Sequence, residues 1–145
     1  MEWNGESGQN GAVNQVNDFK NHQYWNVPDY IGEFNDFANG SDAWQFQPTD
    51  SGFLKVVSRG APAEAWDATN FGTGNGTPIQ IWQLGGGANQ QWQPVSLGDR
   101  NLKFVGRASS RCVDVPSAST ANGVHLQLYD CNGTGAQSWR LVQQP

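Results

Sequence analysis

Short runs of alternating apolar and polar residues, separated by clusters of turn formers, set the pattern of this chain. Lys55-Val56-Val57, Ile79-Gln80-Ile81-Trp82 and Leu126-Gln127-Leu128-Tyr129 are alternating or β-branched runs bounded by Gly, Asn, Pro and Ser. Such runs are the mark of half-buried strands. Asn75-Gly76 and Asn122-Gly123 each fall between two runs and read as turns. No window carries a 3.6-residue apolar stripe. The pattern therefore predicts an all-β chain built from short strands and loops.

The runs belong to a repeat. Trp92 follows Trp44 by 48 residues, and Trp139 follows Trp92 by 47. Each tryptophan closes a similar phrase: Asp42-Ala43-Trp44, Gln90-Gln91-Trp92 and Gln137-Ser138-Trp139. Between them, Leu54-Lys55-Val56-Val57-Ser58-Arg59 aligns with Leu102-Lys103-Phe104-Val105-Gly106-Arg107, and Ala65-Trp66-Asp67-Ala68 with Cys112-Val113-Asp114-Val115. A unit of this length cannot bury its own apolar face. Three are expected to close a pseudo-threefold barrel of about four strands per unit, with Trp44, Trp92 and Trp139 in one shared core and Trp66 alternating inward. The units fall at approximately 1–48, 49–96 and 97–145 of a single domain. The first is degenerate: Ile31 through Trp44 keeps the spacing of Ile79 through Trp92, with Phe34 where Trp82 stands, but residues 1–28 have no match to Leu54–Asp67. Residues 12–30 are expected to supply its missing strands.

Composition narrows the function. The chain has 145 residues, 18 of them Gly, and only 14% are charged, which favours strands and turns over helices. Seven Trp must fill the core or offer flat apolar faces to a ligand. The net charge of −5, with eight scattered Lys and Arg, would repel a phosphate backbone, so nucleic acid is excluded as a partner. An anionic membrane surface is disfavoured for the same reason. No apolar stretch approaches ~18 residues, so no membrane insertion is expected. Met1-Glu2-Trp3-Asn4-Gly5 reads as no signal peptide. His22 and His125 are not spaced with other ligands, so neither a metal site nor a cofactor is expected.

Arg111-Cys112-Val113-Asp114-Val115, then Asn122-Gly123, Gln127-Leu128-Tyr129-Asp130-Cys131-Asn132 and the closing Gln137-Ser138-Trp139 resemble the ricin B-chain type lectins and the family 13 carbohydrate-binding modules. Residues 50–143 carry the resemblance well, 28–48 moderately and 1–27 hardly. It implies a β-trefoil of three pseudo-repeats with a degenerate first repeat, and a function in non-catalytic carbohydrate binding. Mono-, oligo- or polysaccharides of galactose, xylose or arabinose are the implied ligands. The parent protein would be a polysaccharide-degrading enzyme carrying this module beside a catalytic domain.

A pyranose has an apolar C–H face and hydroxyls that donate and accept. A shallow sugar site thus needs an aromatic platform, a carboxylate for neighbouring hydroxyls, and amides. The second unit offers Asp67, Trp82, Asn89 and Gln90, and the third offers Asp114, Tyr129, Asn132 and Gln137. The resemblance gives the carboxylates to adjacent hydroxyls, the aromatic rings to stacking, and the amides to the remaining contacts. Gln80 and Gln127, two residues before each aromatic, match a position that supports that network. Ala136 stands where the second unit has Asn89, so Asn132 is expected to supply the third unit's amide. In the first unit Gly32, Phe34, Ser41 and Asp42 replace the set and Asp18 is one place out of register. That unit is expected to be dead or altered, which leaves two sites. Plainer roles are open too: packing for Trp82 and Tyr129, Asx capping for Asp67 and Asp114, and backbone satisfaction for Gln90 and Gln137.

Cys112 and Cys131 lie 19 residues apart, and the second unit has Ala65 and Leu84 in their places. The paired apolar swap favours a structural disulfide that stabilises by about 3 kcal/mol. A disulfide points to an oxidising, secreted or extracellular setting. Two rival readings stand beside the lectin. Val27-Pro28-Asp29-Tyr30-Ile31-Gly32-Glu33-Phe34 looks like a late-barrel strand of (β/α)8 glycosidases, which would make the first ~47 residues a hydrolase remnant with Glu33 a vestigial nucleophile. Hydrolysis needs a second carboxylate at about 5–9.5 Å and a barrel of roughly 200 residues or more, so activity is not expected. The other rival is a trefoil that binds protein.

Overall fold

The computed structural model describes residues 2–3, 11–14, 16–17, 23–24, 44–58, 63–98, 101–119 and 124–140. The alternating runs form strands: β5 (Trp44–Pro48), β6 (Leu54–Ser58), β7 (Glu64–Ala68), β8 (Ile79–Gln83), β9 (Trp92–Gly98), β10 (Asn101–Gly106), β11 (Cys112–Asp114), β12 (Gln127–Tyr129) and β13 (Trp139–Arg140). Before them lie β1 (Glu2–Trp3), β2 (Gly11–Asn14), β3 (Val16–Asn17) and β4 (Gln23–Tyr24). The expected strands over 12–30 are met in part. β2 pairs antiparallel with β8, and β3 pairs with β4 as a separate ribbon. Asp18, Val27–Phe34, Ser41, Asp42 and Asn122-Gly123 lie outside the described residues.

The second and third units are built to one register. The β5–β6 hairpin runs from Trp44 opposite Ser58 to Pro48 opposite Leu54, and the β9–β10 hairpin places Trp92 opposite Gly106. In β7–β8, Asp67 faces Gln80 and Ala65 faces Trp82; in β11–β12, Asp114 faces Gln127 and Cys112 faces Tyr129. Each partner in β11–β12 stands 47 positions after its counterpart in β7–β8. Because side chains alternate across a strand, this register puts each Asp on the same face of its hairpin as the aromatic two residues beyond its partner.

The fully buried tryptophans explain the Gln-x-Trp phrase. Trp44, Trp66, Trp92 and Trp139 share one cluster with Phe104, Ile81, Val113 and Leu128. Trp66 meets Trp44, Trp92 and Phe104 edge to face at 5.5, 6.1 and 5.2 Å, the arrangement favoured by ring quadrupoles. A buried indole N–H needs an acceptor. Trp92 Nε1 donates to Trp66 O at 3.3 Å and Trp139 Nε1 to Val113 O at 3.2 Å. Both acceptors are the residues just before Asp67 and Asp114. Trp92 and Trp139 therefore each fix the backbone that carries their unit's carboxylate.

The units are also tied to each other. Pro78 bridges Gln127, Ile79 N donates to Leu126 O at 3.0 Å and Gly76 N to Leu128 O at 2.8 Å. Asn75 does more than turn the chain: its Nδ2 donates to Asp130 Oδ2 at 3.0 Å, and its Oδ1 accepts from Arg111 Nε at 2.8 Å. Gly76 supplies the left-handed step of that turn at φ 88°, open to glycine at no steric cost. Cys112 and Cys131 form the expected disulfide, which fastens β11 to the residue two beyond Tyr129.

Candidate functional site

Two clefts open at equivalent places on the second and third units. The second-unit cleft, about 490 Å³, includes Asp67, Gln80, Trp82, Asn89 and Gln90 among its lining residues. The third-unit cleft, about 450 Å³, includes Asp114, Gln127, Tyr129 and Asn132. Seen from outside, each presents an exposed ring (Trp82 46% and Tyr129 41% accessible) beside a carboxylate that is only 5% accessible. The rings stay in water because the strand alternation that buries Ile81 and Leu128 turns their neighbours outward.

What permits a buried carboxylate is a cradle of amide donors. Asp67 accepts from Gln80 Nε2 at 3.2 Å on Oδ1, and from Asn89 Nδ2 at 3.0 Å and Gln90 Nε2 at 2.9 Å on Oδ2. Asp114 accepts from Gln127 Nε2 at 2.9 Å on Oδ2 and Gln137 Nε2 at 3.1 Å on Oδ1. These bonds are charge-assisted and correspondingly strong. They also settle one open reading: both aspartates sit in strands with side-chain partners, so neither acts as an Asx turn cap. A carboxylate offers about four lone-pair directions. Among the described residues three donors point at Asp67 and two at Asp114, which leaves the third-unit carboxylate more capacity for hydroxyls.

Gln90 and Gln137 are tied to the backbone as well as to the carboxylates. Besides its bond to Asp67, Gln90 Nε2 donates to Gln83 O at 2.8 Å, and its Oε1 accepts from Gly85 N at 2.8 Å. Gln137 repeats the set with Asp130 O and Asn132 N, both at 2.9 Å. Both amides are buried with their donors engaged, so they position the carboxylate and the loop beside it. Asn132 lies in the loop that follows β12. It occupies the place of Gly85, not of Asn89, and its Oδ1 accepts from Thr134 N at 3.1 Å and Thr134 Oγ1 at 2.8 Å. It lines the cleft without reaching Asp114, so Ala136 leaves that carboxylate one donor short of Asp67.

The structure adds residues that the strand pattern did not reveal. Phe71 and Leu84 line the second-unit cleft, and Ala118 and Thr134 the third. Phe71 ends a 3-10 turn, Thr69–Phe71, with a left-handed φ of 58°. The only cue was its setting, an aromatic between Asn70 and Gly72 outside any alternating run. Among the described residues no group of three His, Cys, Asp or Glu could hold a metal ion, and no helix is long and apolar enough to cross a membrane.

Comparison with known proteins identifies the family and the fold. Residues 40–129 and 88–145 match the ricin-type beta-trefoil lectin domain-like family. A designed threefold-symmetric protein, ThreeFoil, is similar at 31% identity and TM-score 0.73, over 96% of this chain and 84% of that one. An exo-beta-1,3-galactanase from Clostridium thermocellum is similar at 26% identity and TM-score 0.70, over 77% of this chain but only 24% of the enzyme. The Polyporus squamosus lectin, solved with Neu5Aca2-6Galb1-4GlcNAc, shares the fold at 18% identity and TM-score 0.58, over 68% of this chain and 34% of the lectin. With its all-β trefoil architecture and repeated Gln-x-Trp anchors, the chain belongs to the ricin-type β-trefoil lectin domain family.

Proposed function

We propose that this chain is a single, non-catalytic carbohydrate-binding domain with two sugar clefts, one in the unit 49–96 and one in the unit 97–145. One observation carries the reading: the same buried carboxylate, held by side-chain amides beside an exposed aromatic ring, recurs 47 residues apart. A carboxylate fixed in this way accepts from adjacent hydroxyls without reorganising, and the ring covers the C–H face of the same sugar. Asp67 and Trp82, and Asp114 and Tyr129, take these roles. Asn89 and Asn132 offer further polar contacts at the rims, while Gln80, Gln90, Gln127 and Gln137 hold the carboxylates. Galactose-containing glycans are the first ligands to try, because the similar galactanase acts on galactan and the similar lectin was solved with a galactose-containing epitope. Xylose and arabinose polymers come next. The galactanase, of which this chain spans about a quarter, supports a place beside a polysaccharide-degrading catalytic domain. The disulfide supports work in an oxidising, extracellular setting.

Single shallow sites bind weakly, and two of them on one polymer gain through effective concentration. Calorimetric titration with galactose, lactose, xylo-oligosaccharides and arabino-oligosaccharides tests the proposal, with Asp67→Ala and Asp114→Ala measured alongside. Each variant is expected to lose one of two sites. Variants that titrate as the wild type would refute the assignment.

A further inference from the structure

The two clefts share a frame but not a rim. Among the described residues Phe71 is the most exposed large apolar side chain, 74% accessible. It lines the same cleft as Asp67 and Trp82. Trp82 lies opposite Ala65, two strand positions from the Asp67–Gln80 pair, a step of about 7 Å. Phe71 follows Asp67 in the other chain direction, past the end of β7, and its ring lies over Gly87 beside Asn89. A Cβ on Gly87 would stand 3.3 Å from Phe71 Cε1 and would collide with Asn89 Oδ1. Gly87 thus makes the room that the phenyl ring uses. Phe71 and Trp82 thus approach the Asp67 cleft from opposite ends of β7.

Nothing in folding demands this ring. The equivalent turn in the third unit, Pro116–Ala118, has the same left-handed steps, with Ala118 at φ 50° against 58° for Phe71. Thr134 stands where the second unit has Gly87. The backbone form therefore belongs to both units, and the ring to one. A phenyl group held in water on a strained turn beside a polar cleft is an exposed apolar rim of the kind that marks a binding surface.

We propose that Phe71 is a second stacking platform, so that the second-unit cleft holds two consecutive pyranose rings of a glycan chain where the third-unit cleft holds one. The inference rests on the sugar-binding reading and deepens it: the two clefts would divide the work between internal chain segments and single sugar residues.

The test compares galactose with lactose and xylose with xylobiose. The second site is read in an Asp114→Ala background and the third in an Asp67→Ala background. The second site is expected to prefer the disaccharide by about three- to tenfold, the gain of one further aromatic contact. The third site is expected to prefer it by less than about twofold. Phe71→Ala, which copies Ala118 on the same backbone, should bring the second site down to the third site's ratio. Ala118→Phe combined with Thr134→Gly should raise the third site's ratio. An unchanged ratio in folded Phe71→Ala, with the second site still binding sugar, overturns the inference and leaves the sugar reading standing. A second site silent to every probe overturns both.

Discussion

Replacing Gln137 by Leu puts the cradle to a quantitative test. The side chain is 2% accessible and makes three hydrogen bonds, to Asp114 Oδ1, Asp130 O and Asn132 N. Leucine has nearly the same volume, so the cavity contribution is small. Asp130 and Asn132 are exposed, and water can replace the two backbone bonds at a loss of about 0.5 kcal/mol each. The bond to the buried carboxylate is charge-assisted and contributes about 2 kcal/mol. Gln137→Leu should therefore destabilise the domain by about 3 kcal/mol. Gln90→Leu loses the matching three bonds and should destabilise it by a similar amount. Their effects on binding should differ. Asp114 would keep only Gln127, whereas Asp67 would keep Gln80 and Asn89. The third site should lose more than about tenfold in affinity and the second only a few-fold. Urea denaturation followed by tryptophan fluorescence reads the stability, and NMR titration reads each site. A Gln137→Leu protein as stable as the wild type to within about 1 kcal/mol would refute the cradle argument. Equal loss of binding in the two variants would refute the donor count.

Two further outcomes follow from groups outside the cradles. Converting Cys112 and Cys131 together to Ala removes a loop closure across 19 positions and should lower stability by about 3 kcal/mol, read in non-reducing urea melts. Sugar titration of the same protein should show a weakened third site and an intact second one, since the bridge lies two residues from both Asp114 and Tyr129. Glu64 is 5% accessible with Oε2 unpartnered, and burial raises its pKa above 4.5. An acid whose folded pKa is raised contributes fully below its unfolded pKa, and that contribution fades as pH rises through the folded value. Glu64→Gln should thus be the more stable protein near neutrality, with the advantage shrinking as pH falls towards about 4.5. Thermal melts across that range check the sign.

Much of the architecture was legible along the chain because repetition and alternation are one-dimensional signals. The spacing of Trp44, Trp92 and Trp139 marked the core anchors, and the runs at Ile79–Trp82 and Leu126–Tyr129 marked strands that the structure contains, to within a residue. Asp67 and Asp114 could be picked out because each stands next to an inward-facing residue, Trp66 or Val113, at a fixed distance before the closing tryptophan. The roles of the amides were not legible. Gln90 and Asn89 are adjacent in sequence and both donate to Asp67, but Gln90 also bonds Gln83 and Gly85 while Asn89 bonds Ala68 O, and only the path of the 84–87 loop separates them. The setting of Asn132 was hidden for the same reason: the loop put its oxygen against Thr134.

By itself, then, the sequence determined the fold class, the phase of the repeat, the disulfide and the pairing of one carboxylate with one aromatic in each of two units. Register and periodicity carry that information, since a strand's faces follow from counting by two. The tertiary structure alone decided how many donors each carboxylate receives, which amides are buried supports, and that Phe71 stands over Gly87 at the second rim. These depend on where loops return in space, and loop paths follow from left-handed turns and close approaches that no spacing rule encodes.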